Sequence, residues 1–315
     1  MNKLLVILGP TATGKTDLAL SLAKKFNGEL VSCDSRQVYR GLDIGTGKIS
    51  NLKSQMSNVK IRRGWWEIDG VNIWMYDVVN PRVQYTVADY VKKAEKIVKE
   101  VHNRDKLPII VGGTGLYIKA LAEGLPNLAV PIDFRKRKNL EKVSLISLQE
   151  KLKKVSSQKW QSLNASDKQN PRRLVRAIEL ATSDVPVKFQ PPSYEVLKIG
   201  LTAPRDFLYK RVDEGVFSRI KQGMVEETKK LHKKGLTFKR MRELGLEYGI
   251  LADYLERVIK DIDSLTEIMQ NRIHGFVRRQ LTYFKKEKRI HWFDISEKGY
   301  IQKVEKKVSK WYYRT

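Results

Sequence analysis

The sequence predicts an α/β protein: a P-loop parallel sheet core with helices on both faces and an inserted all-helical domain. Three observations lead there. The apolar run Leu4–Leu8 reads as a buried parallel strand, and it ends in Gly9-Pro10-Thr11-Ala12-Thr13-Gly14-Lys15-Thr16, which matches G-x-x-x-x-G-K-[ST]. Strand-like and helix-like stretches then alternate as far as Gly124, the pattern of a parallel sheet with crossover helices. From Pro126 to about Pro192 strand signal nearly vanishes, and it returns at Val196–Leu201, so the helical segment interrupts the core. The expected division is residues 1–124 and 195–315 for the core and 125–194 for the insert.

Each element follows from local pattern. After the loop, Leu18, Ala19, Leu22, Ala23 and Phe26 form an apolar stripe at helical spacing, so a helix points its positive end at any anion the loop holds. Glu29–Cys33 is a second short strand ending at Asp34, and strand ends are where ligands sit in such sheets. The polar run Ser50–Arg63 reads as a loop or short surface helix. Trp65, Trp66, Ile68, Val71, Ile73, Trp74 and Tyr76 read as strand, with the tryptophans taken as packing rather than base-stacking residues, up to Asp77 and the breaker Asn80-Pro81. Thr86-Val87-Ala88-Asp89 looks like a capped start for a helix carrying Val87, Val91, Ala94, Val98 and Val101. Pro108–Val111 is another buried strand, running into Gly112-Gly113-Thr114-Gly115 and a helix that stops near Gly124.

In the insert, Ser147-Leu148-Gln149-Glu150 fits a capping box, and Asn170 before Pro171 fits an N-cap followed by proline at the first helical position. Beyond Val196–Leu201 the expected helices begin at Phe207, run from Met224 to Leu231, span Leu244–Leu255, and extend from Ser264 to about Phe284. A last strand at Ile290–Phe293 and a last helix at Tyr300–Trp311 complete the reading.

The phosphate loop carries its own chemistry. Its glycines let backbone N–H groups approach phosphate oxygens, Lys15 adds a point charge and Thr16 offers a hydroxyl to Mg²⁺. With 315 residues the chain has room for a core domain and a second unit, and a hydrophobic content of 41% is ample to fill them. A formal net charge of +26 points to a polyanionic partner, nucleic acid first; the plainer reading is a lysine-rich solvated surface. Basic residues cluster at Arg135–Lys138 with Arg172, Arg173 and Arg176, and again at Arg272, Arg278, Arg279, Lys285, Lys286, Lys288 and Arg289. Aromatic residues interleave with the second group, which suits single-stranded or looped RNA whose bases can stack; the plainer reading is a solvated helix face over a packed aromatic core. A single cysteine, Cys33, excludes an internal disulfide and fits a reducing compartment. Met1-Asn2-Lys3 runs straight into the first strand and no apolar run is long enough to span a bilayer, so a cytoplasmic, membrane-free protein is expected; a monomer is the separate expectation for its assembly.

The phosphate loop, Asp34-Ser35, Gln37–Thr46 and Val111-Gly112-Gly113-Thr114-Gly115-Leu116-Tyr117, in this order, resemble the tRNA dimethylallyltransferase family. The likeness continues through Pro171–Glu179 and Arg279-Gln280-Leu281-Thr282-Tyr283-Phe284. It implies transfer of a dimethylallyl group from dimethylallyl diphosphate to N6 of an adenine beside the anticodon, with the anticodon stem-loop of tRNA as partner and Mg²⁺ as cofactor. The implied catalytic residues are Asp34 as general base, Thr114 and Lys15, and the implied diphosphate contacts are Gly9 to Thr16 with Arg211. Implied tRNA contacts fall on Asp34, Ser35, Arg36, Gln37, Thr114, Arg135, Arg172, Arg173, Arg176, Arg242, Arg278, Arg279, Gln280 and Lys285, and Thr16 is the implied metal ligand.

Three positions depart from the family pattern. Arg205 and Arg211 fit two of its three arginines, but the third falls on Gly215, and Arg219, one turn later, is the expected substitute. The usual Gly-Tyr pair is Gly245-Leu246, and the usual histidine-containing segment is Val71–Asp77. Rival readings are a small-molecule kinase using Asp34 or Asp77 to hold the metal, a prenyltransferase acting on free adenine nucleotides, and an inert RNA binder. The basic insert argues against the second, and intact Lys15, Thr16, Asp34 and Thr114 against the third.

Overall fold

The opening apolar run forms β1 (Asn2–Leu8) in the computed structural model, which describes residues 2–48, 58–130, 132–183, 185 and 191–314. Next come α1 (Lys15–Lys25), β2 (Gly28–Ser32), β3 (Val59–Arg62), β4 (Trp65–Ile68), β5 (Val71–Trp74), α2 (Val87–His102), β6 (Leu107–Gly112) and α3 (Gly115–Ala122). The eight strands among the described residues form one sheet in the order β3-β4-β5-β2-β6-β1-β7-β8, where β7 is Tyr194–Thr202 and β8 is Ile290–Asp294. All pairings from β5 to β8 are parallel, and β3 and β4 add an antiparallel extension at one edge.

Alternation along each strand sends side chains to both faces. Leu5 and Ile7 join the cluster with Leu18 and Leu22 of α1 and with Val304 and Val308 of α14 (Tyr300–Tyr312). Their buried neighbours Leu4, Val6 and Leu8 belong to the opposite face, where α2 and α3 lie against β2, β6 and β1. The tryptophans are packing residues. Trp66 is buried and donates to Asp77 at 2.6 Å, while Trp74 pairs with Trp65 and donates to Glu29 at 2.6 Å.

The chain divides into two units, Met1–Glu123 with Pro192–Thr315, and Gly124–Pro191. The described residues of the second hold a short 3-10 turn (Pro126–Ala129), α4 (Phe134–Leu140), α5 (Leu145–Val155), α6 (Ser157–Ser162), α7 (Ala165–Lys168) and α8 (Pro171–Ala181), and no strand. Leu140, Leu148, Leu152, Leu174, Val175, Ala177 and Ile178 make its core. Asn170 caps α8 as expected, accepting the Arg173 N–H. The capping box at Ser147 is corrected: Ser144 caps α5 and accepts the Ser147 N–H, because a start at Leu145 lets that leucine pack on the core.

In the first unit β7 leads to α9 (Arg205–Lys221), α10 (Met224–Lys233), α11 (Phe238–Leu244), α12 (Leu246–Leu255) and α13 (Ile262–Phe284). The single helix expected over Leu244–Leu255 is instead broken at Gly245, whose φ of 76° is foreign to an α-helix. The long helix begins before Ser264, since Asp261 accepts the Ser264 N–H at 2.7 Å. Of the expected polar loop Ser50–Arg63, residues 50–57 lie outside the described residues, and Val59–Arg62 is strand β3. Among the described residues no helix is long and apolar enough to cross a membrane.

Candidate active site

Because β2, β6 and β1 are adjacent and parallel, their C-terminal ends bring three loops together: Asp34 after β2, Gly113-Thr114 after β6 and the phosphate loop after β1. The phosphate loop owes its path to Gly9, with φ of 145°, where a Cβ would lie 2.4 Å from the Leu201 carbonyl oxygen. Ala12 and Gly14 take φ values of 65° and 72°, so the loop holds a left-handed alanine before α1 begins. Thr13 Oγ1 and Lys15 Nζ both donate to the Pro10 carbonyl, at 2.8 and 2.6 Å. Burial brings the Lys15 pKa down to about 8, with the Asp34 charge opposing that fall.

The other two loops are tied to each other and to the first. Asp34 Oδ1 accepts the backbone N–H groups of Arg36 and Gln37, at 2.8 and 3.4 Å, which fixes the orientation of the carboxylate. Thr114 Oγ1 accepts the Ser35 N–H at 3.0 Å. Gln37 holds Thr46 through its amide, donating to the Thr46 carbonyl at 3.3 Å, while Ser32 donates to its Oε1 at 2.8 Å. Gln280, buried on α13, accepts the Thr11 N–H and donates to the Gly113 carbonyl, both at 3.0 Å. That one side chain links the phosphate loop to the turn carrying Thr114.

Helix α9 supplies a cationic wall. Arg211 Nε donates to the Ala12 carbonyl at 2.7 Å, placing its guanidinium against the phosphate loop. Arg219 donates to the Gly45 carbonyl at 2.7 Å and pairs with Glu247 at 3.3 Å. Burial raises the Glu247 pKa, and Arg219 works against that rise. Between the two arginines, a Cβ on Gly215 would have nothing within 4 Å. Residue 215 therefore leaves open space where Arg219, anchored through Nε to the Gly215 carbonyl at 3.2 Å, is the nearby guanidinium.

These groups line a cleft of about 690 Å³ together with Asp17, Glu214, Ile273, Phe276 and Arg279. Of the expected site residues it gathers Thr11, Ala12, Gly14, Lys15, Thr16, Asp34, Ser35, Arg36, Gln37, Thr114, Arg211, Arg219, Arg279 and Gln280. Among the described residues no group of three or more His, Cys, Asp or Glu side chains could hold a metal. Beside the phosphate loop the Thr16 hydroxyl and the Asp17 carboxylate line the cleft, a sparse set that would leave most positions of a Mg²⁺ ion to ligand oxygens and water.

Three of the expected tRNA contacts are engaged by other groups of the chain itself. Gln280 is an internal bridge, because its amide is consumed by the Thr11 and Gly113 backbone. Arg176 pairs with buried Glu179 at 3.1 Å and donates to the Asn127 and Val130 carbonyls, which makes it a support of the second unit. Arg242 is held by Asp253 and Glu256. Arg135, Arg172, Arg278 and Lys285 are exposed, and Arg173, also exposed, pairs with Asp167. Asp77 bonds to Trp66 and Lys48, so it is not positioned to hold a metal for phosphoryl transfer. Sequence reasoning missed Glu247 as a partner of Arg219; one carboxylate on a basic chain gave no signal of that pairing.

Comparison with known proteins comes to the same set of relatives from sequence and from structure. The family model described as IPP transferase matches residues 37–287. The chain is 36% identical to tRNA dimethylallyltransferase 1 of Geotalea daltonii, over 92% of this chain and 90% of that protein. It is 37% identical to tRNA dimethylallyltransferase 2 of Treponema denticola, over 91% and 94%. Among solved structures, the full-length tRNA isopentenylpyrophosphate transferase of Bacillus halodurans superposes with a TM-score of 0.71 at 30% identity, covering 99% of this chain and 97% of that one.

Proposed function

This chain belongs to the IPP transferase family and is a transferase that puts dimethylallyl groups on adenosine of tRNA; we propose that the cleft at the strand ends does this chemistry, with dimethylallyl diphosphate as donor and N6 of the adenosine beside the anticodon as acceptor. The observation that carries the proposal is the placement of a phosphate loop after β1 and an oriented carboxylate, Asp34, after β2, either side of β6 at one cleft.

The chemistry divides between those two groups. As the C1–O bond of the allylic diphosphate breaks, negative charge grows on the departing pyrophosphate, where Lys15, the loop N–H groups, Arg211 and Arg219 would stabilise it. The N6 amine forms the new C–N bond and its proton passes to Asp34. Thr114, which already accepts the Ser35 N–H, has its own hydroxyl hydrogen to position the adenosine. Mg²⁺ held at Thr16 would neutralise the leaving group further.

Exposed Arg135, Arg172, Arg173, Arg278, Arg279 and Lys285 would contact tRNA phosphates, with the helical insert a tRNA-contacting domain. A reducing, cytoplasmic setting suits a chain whose one cysteine, Cys33, is buried and outside any disulfide, and a monomer completes the proposal. The test is transfer of label from dimethylallyl diphosphate, with Mg²⁺, to bulk tRNA and separately to AMP. Label on tRNA alone is expected. Label on AMP would move the chain to the nucleotide-prenylating class, and label on neither would remove the prenyl donor.

A further inference from the structure

Outside the cleft, Glu227 of α10 gathers an unusual set of donors. Its Oε2 accepts the backbone N–H groups of Asp43 at 3.1 Å and Ile44 at 2.8 Å. Its Oε1 accepts the Gly45 N–H at 3.1 Å and the Tyr248 hydroxyl at 2.7 Å. Three successive N–H groups converging on one anion make a nest, here filled by the chain's own carboxylate. Tyr248 is buried, and burial together with the Glu227 charge pushes its phenol well above the usual range, so it remains a donor.

The loop that Glu227 holds is the loop that holds Arg219. The Gly45 carbonyl accepts Arg219 Nη1 at 2.7 Å, and a Cβ on Gly45 would lie 2.5 Å from the Tyr248 hydroxyl oxygen, so only glycine lets the loop close on the nest. The next residue, Thr46, lines the cleft and accepts from Gln37. At the other end Lys48 donates to the Tyr39 carbonyl at 2.8 Å and to Asp43 at 3.0 Å, which leaves the loop little freedom to adjust.

We infer that Glu227 is a positioning residue for the diphosphate: it touches no substrate, and through the Asp43–Gly45 backbone it sets where Arg219 presents its guanidinium in the cleft. This rests on the reading that Arg219 meets the diphosphate. Glu227→Gln preserves shape and half of the acceptor capacity but points an N–H₂ group at the Gly45 N–H and Tyr248, and Glu227→Ala empties the nest.

The experiment measures Mg²⁺-pyrophosphate binding by calorimetry on the full chain, alongside label transfer to tRNA and a thermal melt. Glu227→Gln should weaken pyrophosphate binding and raise the KM for dimethylallyl diphosphate roughly tenfold, with the tRNA KM within about twofold. In an Arg219→Ala background the same change should add little, because the two residues act through one contact. Unaltered pyrophosphate binding in folded Glu227→Gln, or a full repeat of the loss on Arg219→Ala, overturns the proposal. Should Glu227→Ala fail to fold, the Gln variant carries the test. Weaker pyrophosphate binding by Glu227→Gln, in a protein that never labels tRNA, would keep the positioning role and reject the reaction.

Discussion

Lys15 is the residue whose ionisation the fold has changed most usefully. Burial places its pKa at about 8, below that of an ordinary lysine. Below pH 8 it is charged before any ligand arrives; above pH 8 the free cleft holds a neutral amine. A bound diphosphate favours the ammonium and raises its pKa, so binding must take up a proton above pH 8, and affinity falls as pH rises past that point. We expect kcat/KM for dimethylallyl diphosphate to fall by up to about tenfold per pH unit above 8. Lys15→Arg, charged throughout, should lose this limb; a flat wild-type profile from pH 7.5 to 9.5 would contradict the assignment. At Gly215 the expectation is one of stability. Its missing side chain would meet nothing, and glycine inside α9 costs about 0.5–1 kcal/mol relative to alanine, so Gly215→Ala should stabilise the protein by that amount in urea unfolding. Destabilisation would show that the open space is not empty in solution.

At the scale of elements, α13 matters because one of its side chains reaches the floor of the cleft. Gln280→Leu would leave the Thr11 N–H and Gly113 carbonyl without their partner, at a cost of about 1–3 kcal/mol for each group left unsatisfied. It should also raise the KM for the prenyl donor, measurable by steady-state kinetics at saturating tRNA. An unchanged donor KM would show that the phosphate loop keeps its shape alone. Gln280 was legible as a member of a family stretch but not in its role, because a polar side chain on a basic helix looks solvent-facing until the helix is docked. The helix starts were misread for a related reason. Ser144 and Ser147 are both good caps, and the choice between them depends on where Leu145 packs, which is a tertiary fact. The break at Gly245 was hidden because the apolar period runs on through Leu244, Tyr248 and Leu251.

For the whole molecule, the phosphate loop, the strand–helix alternation and the helical interruption were local patterns and could be read directly. Sheet order could not, since the insertion of β6 between β2 and β1 depends on pairs such as Gly28 with Leu107 and Leu5 with Ile109, far apart in the chain. That pairing is what puts Asp34, Thr114 and Lys15 in one cleft; the strand-end rule already placed Asp34 near the phosphate loop, while the part of Thr114 came from resemblance. Net charge acts at this scale too. Replacing Arg278, Lys285 and Lys286 by serine should raise the apparent tRNA KM and reduce the salt slope of tRNA binding by about 2. An unchanged slope would exclude these side chains as phosphate contacts.

The central claim is that one cleft holds the diphosphate at the loop and removes a proton at Asp34. The direct measurement is single-turnover prenyl transfer by Asp34→Asn, with pyrophosphate and tRNA binding measured on the same protein. The account predicts that both ligands still bind and that the rate falls by about 10²-fold or more. A near-normal rate with both ligands bound would take Asp34 out of the chemistry and contradict the account.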